Sequence, residues 1–201
     1  MEADFPAAHS MDTNWFAVDK DGQVAFFVSD ENGSVPNGAS EVDVEGLLRA
    51  LGGKPSEVGF ASFLAELASR GLHVYEDASE WFSGPYQRTH RPKKPLHVDQ
   101  LPPQLRAEVK AVRFDDLRFE DKKRLQPCDH AEGYAWGGVY LSEDGKTVRA
   151  IPGHEKQYRE AVELMRQQSP EDFKKFHFEG LDEKKPPKGR RRAKGDDAPG
   201  P

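Results

Sequence analysis

Two short apolar runs near the N-terminus constrain this chain most. Asn14-Trp-Phe-Ala-Val-Asp19 and Gln23-Val-Ala-Phe-Phe-Val28 flank Asp19-Lys-Asp-Gly22. Both runs are too short for a helix and are rich in aromatic and β-branched residues, and the turn offers a glycine suited to positive φ. The pattern predicts a β-hairpin. Successive side chains of a strand point to opposite faces. Here both sets are apolar, so the hairpin requires cover on both sides and the fold must supply two layers around it. The chain has 201 residues, 36% of them hydrophobic, with twelve Phe and three Trp. That is lean in core-forming residues but sufficient for one domain.

Helical signals follow a loop at 30–40 that carries glycine, proline and asparagine. Residues 41–51 predict a helix through Val44, Leu47, Leu48 and Leu51, ended by Gly52-Gly53. Ser56 is a natural N-cap for a second helix. Its stripe of Phe60, Phe63, Leu64, Leu67 and Ala68 recurs at helical spacing, and Gly71 suits the position just past its end. Leu72-His-Val-Tyr75 reads as a short strand. Residues 81–103 are extended and broken by Pro85, Pro92, Pro95, Pro102 and Pro103, which predicts a surface-running segment. Pro102-Pro103 can open a helix through Ala111. Residues 112–126 read as strand-like, with 120–124 equally suited to a turn or short helix.

A second hairpin is expected from Tyr134-Ala-Trp-Gly-Gly-Val-Tyr-Leu141, the turn Ser142-Glu-Asp-Gly145 and Lys146-Thr-Val-Arg-Ala-Ile151. Its likeness to the first fits either a duplicated unit or the general frequency of Asp-Gly turns between aromatic strands. Residues 154–168 predict a helix with Tyr158, Ala161, Val162 and Met165 on one face. Ser169-Pro-Glu-Asp172 then resembles a capped helix start, and Phe173, Phe176 and Phe178 are placed to dock the last element. The expected class is α+β, a mostly antiparallel sheet built from hairpins with helices packed on it. The expected organisation is a frayed leader at 1–11, one domain at 12–180 and a disordered charged tail at 181–201.

Charge is unevenly placed. The chain carries a formal −6, yet residues 181–201 hold seven Lys and Arg against four acids, so residues 1–180 stand at −9. An acidic body repels phosphate and suits a basic protein partner. The N-terminal stretch is acidic and lacks the apolar core of a signal peptide, and no apolar run approaches the ~20 residues of a membrane helix. No membrane association and a cytoplasmic location are expected.

Chemical motifs are few. Asp19-x-Asp-Gly22 fails as a calcium loop, because Ala17 and Val28 would occupy its first and last ligand positions. Asp19 and Asp21 are read as turn residues. The seven histidines form no pair at metal-ligand spacing, the single Cys128 excludes an intramolecular disulfide, and no phosphate-binding or nucleophile-elbow motif occurs. No cofactor or metal is expected. Cys128 and His130 would share one face of an extended segment, as a candidate nucleophile and base. His154-Glu155 opens a helix, where the carboxylate complements the dipole.

The segment Asn14-Trp-Phe-Ala-Val-Asp-Lys-Asp-Gly-Gln-Val-Ala-Phe-Phe, ending near Gly33-Ser-Val-Pro36, resembles the opening of a group of small uncharacterised bacterial proteins. Leu125-Gln-Pro127, Trp136-Gly-Gly and Asp144-Gly-Lys-Thr-Val-Arg share that character. The chain is loosely similar to immunity-type proteins of bacterial toxin systems, over two hairpins and about a quarter of its length. The resemblance implies an acidic α+β binder and carries no site residues across.

The function expected is therefore a non-enzymatic binding module, and the resemblance implies its finer form, an immunity protein neutralising a basic toxin. Its contacts would be the acids Asp30, Glu31, Glu41, Asp43, Glu45, Glu76, Asp77 and Glu80, with Trp81 and Phe82 as aromatic anchors. The first alternative is a nucleic-acid-associated regulator using Arg88, Arg91, Lys93 and Lys94 together with Arg190, Arg191 and Arg192. The second is an enzyme built on Cys128 and His130.

Overall fold

A computed structural model describes residues 13–30, 32–39, 43–54, 59–78 and 82–181. The expected leader, the tail beyond Leu181 and the expected cap Ser56 lie outside these residues.

β1 (Asn14–Val18) and β2 (Val24–Val28) form the hairpin, in register from Asn14 opposite Val28 to Val18 opposite Val24. Asp19 makes the turn: its Oδ1 accepts from the backbone N–H of Asp21 (3.0 Å) and of Gln23 (2.8 Å), and Gly22 takes φ +82°. Asp19 does more than turn the chain. It is fully buried, and its Oδ2 accepts from the N–H of Phe119 at 2.9 Å, a hundred residues away.

β3 (Val35–Pro36) follows, then α1 (Val44–Ala50), α2 (Phe60–Ser69), β4 (His73–Glu76) and β5 (Tyr86–His90). Next come α3 (Pro103–Val109), β6 (Arg124–Leu125), β7 (Gly133–Tyr134), β8 (Val139–Leu141) and β9 (Thr147–Ala150). α4 (Glu155–Gln168), α5 (Pro170–Phe173) and β10 (His177–Phe178) close the described chain. The main sheet has order β1-β2-β4-β5-β6. Its β2–β4 pair is parallel, with α1 and α2 in the crossover, and its other pairs are antiparallel. A second sheet has order β10-β9-β8, and β3 pairs with β7. The fold is α+β with mostly antiparallel sheets. Among the described residues no helix is long and apolar enough to cross a membrane.

The two-sided hairpin finds its two layers by simple alternation. Phe16, Val18, Val24, Phe26 and Val74 face a core with Leu47 and Leu48 of α1, Leu64 and Leu67 of α2 and Val109 of α3. Trp15, Ala17, Ala25, Phe27 and Tyr75 face the other side, where Tyr86, Phe114, Phe119 and Leu125 complete the core. Trp15, Phe27 and Tyr75 stack across three strands at 4.0 and 4.9 Å between centroids. A third cluster joins Tyr158, Val162 and Met165 of α4 to Val139, Val148 and Phe82, with Phe173, Phe176 and Phe178 packed on it.

Four local expectations need correction. The extended 81–103 segment does not run over the surface throughout: the proline-free residues between Pro85 and Pro92 keep their N–H groups and enter the main sheet as β5. Residues 112–126 are strand-like only at their two ends, where Arg113 bridges Val18 in parallel and Arg124–Leu125 forms β6. Phe119–Asp121 takes the short helical turn expected near 120–124, and the chain between winds. Phe114, Leu117 and Phe119 all reach the core at a spacing no single strand offers. In the second hairpin the first strand begins at Val139, because Gly137 and Gly138 take φ +66° and +70°, while Gly133–Tyr134 pairs with Val35–Pro36. The two hairpins therefore sit in different sheets, with five paired positions in one and three in the other. Finally, α2 opens after Gly59 at φ +31°.

Candidate functional site

Between β2 and α1 the chain leaves the main sheet, and a buried side chain fixes its path. The hydroxyl of Tyr86 donates to the carbonyl of Ser34 (3.0 Å), and the space beside Gly33 is so filled by this hydroxyl and the Ser29 backbone that a side chain there would collide. Gln126, also fully buried, gathers three segments. Its Nε2 donates to the carbonyls of Ser83 and Leu141 (2.8 Å each), and its Oε1 accepts from the Ser34 hydroxyl and from Cys128 N–H. β3 and β7 then pair, and the N–H of Asn37 donates to the backbone carbonyl of Glu132 (2.8 Å). These ties leave a cleft of about 670 Å³, within the range of small-ligand sites. Tyr140 and Ile151 lie at its floor, Tyr134 and His154 are half-buried in its wall, and Glu132 and Asn37 stand exposed at its rim.

Cys128 and His130 both line this cleft, and their side chains engage other residues: the thiol meets the Tyr134 carbonyl, and the ring meets Asp116 and Glu143. Burial pushes the Cys128 thiol up to about 12, so it is protonated at neutral pH. Both ring nitrogens of His130 are engaged by carboxylates, Nδ1 at 2.6 Å from Asp116 and Nε2 at 3.0 Å from Glu143. Burial lowers the pKa of His130, but the hydrogen bonds to Glu143 and Asp116 outweigh it and the net direction is upward. Glu143 also binds Lys122 at 2.6 Å, and Arg149 joins Asp129 (2.9 Å) to Glu179 (2.5 Å). These charges fasten the β8–β9 hairpin to the 114–130 segment. Among the described residues no group of His, Cys, Asp and Glu could hold a metal ion.

The expected acidic contacts separate in space. The parallel pairing of Val28 with Glu76, and the hydrogen bond from Asp77 N–H to Val28 O (2.9 Å), bring Asp30, Glu76 and Asp77 together at the carboxyl end of β2 and β4. Asp30 is exposed and takes φ +42°, and Glu76 and Asp77 are half-exposed. Neither Asp30 nor Glu76 forms an ion pair among the described residues. Asp43 and Glu45 have local roles on α1. Asp43 caps Gly46 N–H at 2.8 Å, and Glu45 pairs with Arg49 at 2.6 Å. Phe82 is no surface anchor: it is 7% exposed and packs edge-on against Phe176 in the third core. Glu31, Glu41, Glu80 and Trp81 lie outside the described residues, as do Arg190, Arg191 and Arg192.

The two arginines of the basic stretch are engaged by the protein itself. Arg88 donates to the carbonyls of Phe119 (2.6 Å) and Glu120 (3.1 Å), and Arg91 pairs with the Glu120 carboxylate. Lys93 and Lys94 stay exposed. The cleft and Gln126 escape sequence reasoning, because five distant segments build them and no short motif marks any of them. Comparison with protein families, with curated proteins and with solved structures gives no match.

Proposed function

We propose that this chain is a binding protein for a basic protein partner, and that the carboxyl end of the β2–β4 pair is its contact surface. The observation that carries this reading is the convergence there of Asp30, Glu76 and Asp77, two of which have no internal ion-pair partner among the described residues. Acids left without internal partners are available to an incoming cation. The −9 of residues 1–180 adds a long-range field of the same sign. An immunity role, in which the partner is a basic toxin, is the finer form of the proposal and draws on the resemblance of the hairpin opening. The engagement of Arg88 and Arg91 by Phe119 and Glu120 weighs against a nucleic-acid surface at that stretch.

The test uses the full chain as bait in an extract of its native host, at low and moderate salt, with retained protein and nucleic acid both measured. The expected result is one basic protein held in stoichiometric amount and lost when Asp30, Glu76 and Asp77 are all changed to Lys. Neutralisation of that protein's toxicity would support the finer form. Retention undiminished by the triple reversal, or retention of nucleic acid in its place, would overturn the assignment.

A further inference from the structure

The cleft beside β7 has a lining that selects one kind of ligand. Tyr134, Tyr140 and His154 are among the residues that line it, and exposed Glu132 stands at its rim. The other formal charges near it are already matched: His130 with Asp116 and Glu143, and Asp129 with Arg149. Glu132 enters no ion pair among the described residues and is exposed. The cleft therefore presents aromatic surface and one uncompensated negative charge.

An anion is disfavoured there. His154 lines the cleft and directly precedes α4, whose first residue Glu155 already puts a carboxylate at the helix start. Its own carboxylate accepts from Gly153 N–H at 3.2 Å, and hydrogen bonds from the Glu155 and Gly153 backbone hold its pKa down. A second anion would meet the Glu155 and Glu132 carboxylates. A cation with an apolar stem meets complementary groups instead, because aromatic rings attract cations and the stem can lie on apolar surface. The volume of about 670 Å³ accommodates a long side chain with its flanking backbone. One continuous stretch of chain runs from the acidic end at Asp30 to Asn37 on the cleft rim.

We propose that this cleft receives a lysine or arginine side chain of the basic partner, held between the aromatic lining and the Glu132 carboxylate. The identity of the occupant as a protein side chain rests on the binding reading above. The affinity for a cation does not.

The experiment titrates the full chain with N-acetyl-arginine amide, N-acetyl-lysine amide and the uncharged N-acetyl-norleucine amide, following NMR signals of Tyr134, Tyr140 and His154. Saturable shifts are expected with the two cations and not with norleucine, and the relative size of the two responses tells guanidinium from ammonium. Glu132→Gln, at an exposed position, should weaken cation binding about fivefold, the scale of one exposed ion pair. Tyr134→Leu should weaken it further. Equal shifts with norleucine, no shifts, or an unchanged affinity in Glu132→Gln would overturn the cleft assignment. Partner capture that survives Glu132→Gln and Tyr134→Leu but fails in the Asp30, Glu76, Asp77 reversal would reject the cleft as the partner's subsite and leave the binding reading standing. Cation binding without partner capture would keep the cleft's affinity and reject the binding reading.

Discussion

His73 has no exposed surface on β4, with Nε2 2.9 Å from the Gln23 side-chain oxygen and Nδ1 lacking a partner among the described residues. Burial lowers its pKa to about 4, and the nearby Arg88 and Arg91 act in the same direction. The folded chain thus keeps this ring neutral where the unfolded chain, at its ordinary 6.5, takes up a proton. Stability must fall as pH drops from about 6.5 to about 4, by up to about 3 kcal/mol at ~1.4 kcal/mol per pH unit. His130 works with the opposite sign. Its raised pKa supplies stability in full below the unfolded value, and that stability is lost as pH rises through the folded one. Urea midpoints between pH 4 and 8 separate the two. His73→Gln should flatten the acid limb and His130→Gln the alkaline side. An acid limb of unchanged slope in His73→Gln would refute the assignment to that ring.

At the scale of elements, Gln126 joins three pieces that sequence order keeps apart: the loop before β3, the Ser83 segment before β5, and β8. Gln126→Leu keeps much of the volume but takes this partner from the Leu141 carbonyl and the Ser34 hydroxyl and leaves the Ser83 carbonyl with the Leu141 N–H (3.0 Å), in a buried site where each unsatisfied group costs ~1–3 kcal/mol. Urea denaturation should show a loss of about 2–4 kcal/mol. A loss below about 0.5 kcal/mol would mean that water or a local shift replaces these bonds. The same residue marks the limit of what the sequence discloses. The β1–β2 hairpin, α1, α2, α3 and α4 were legible because each writes its own period or turn chemistry over neighbouring residues. β5 was hidden between prolines, and β7 and the winding middle of the 112–126 segment were hidden because their contacts are set by partners far along the chain. Glu132 and Tyr134 acquire meaning only when β7 meets β3, a two-residue contact with no local signature. The Cys128–His130 spacing was visible, but Asp116 and Glu143, which take up the ring, were not.

For the whole molecule, the acidic end and the cleft should act on different rate constants. Long-range charge acts before contact. The −9 of residues 1–180 and the group of Asp30, Glu76 and Asp77 attract a basic partner at separations comparable to the Debye length, about 8 Å at physiological salt. A side chain already seated beside Glu132 is held by short contacts that salt screens far less. Association kinetics with the captured partner should therefore show kon falling about tenfold or more as salt rises from about 20 to about 200 mM, with koff nearly constant. Reversal of Asp30, Glu76 and Asp77 should lower kon and flatten its salt dependence, whereas Glu132→Gln should leave kon within about twofold and raise koff about fivefold. A flat kon with a salt-dependent koff would place the acids inside the bound interface and remove steering from their role. The opposite pattern for Glu132→Gln, a lower kon with koff unchanged, would make the cleft rim part of the attracting surface and empty the cleft of its holding role.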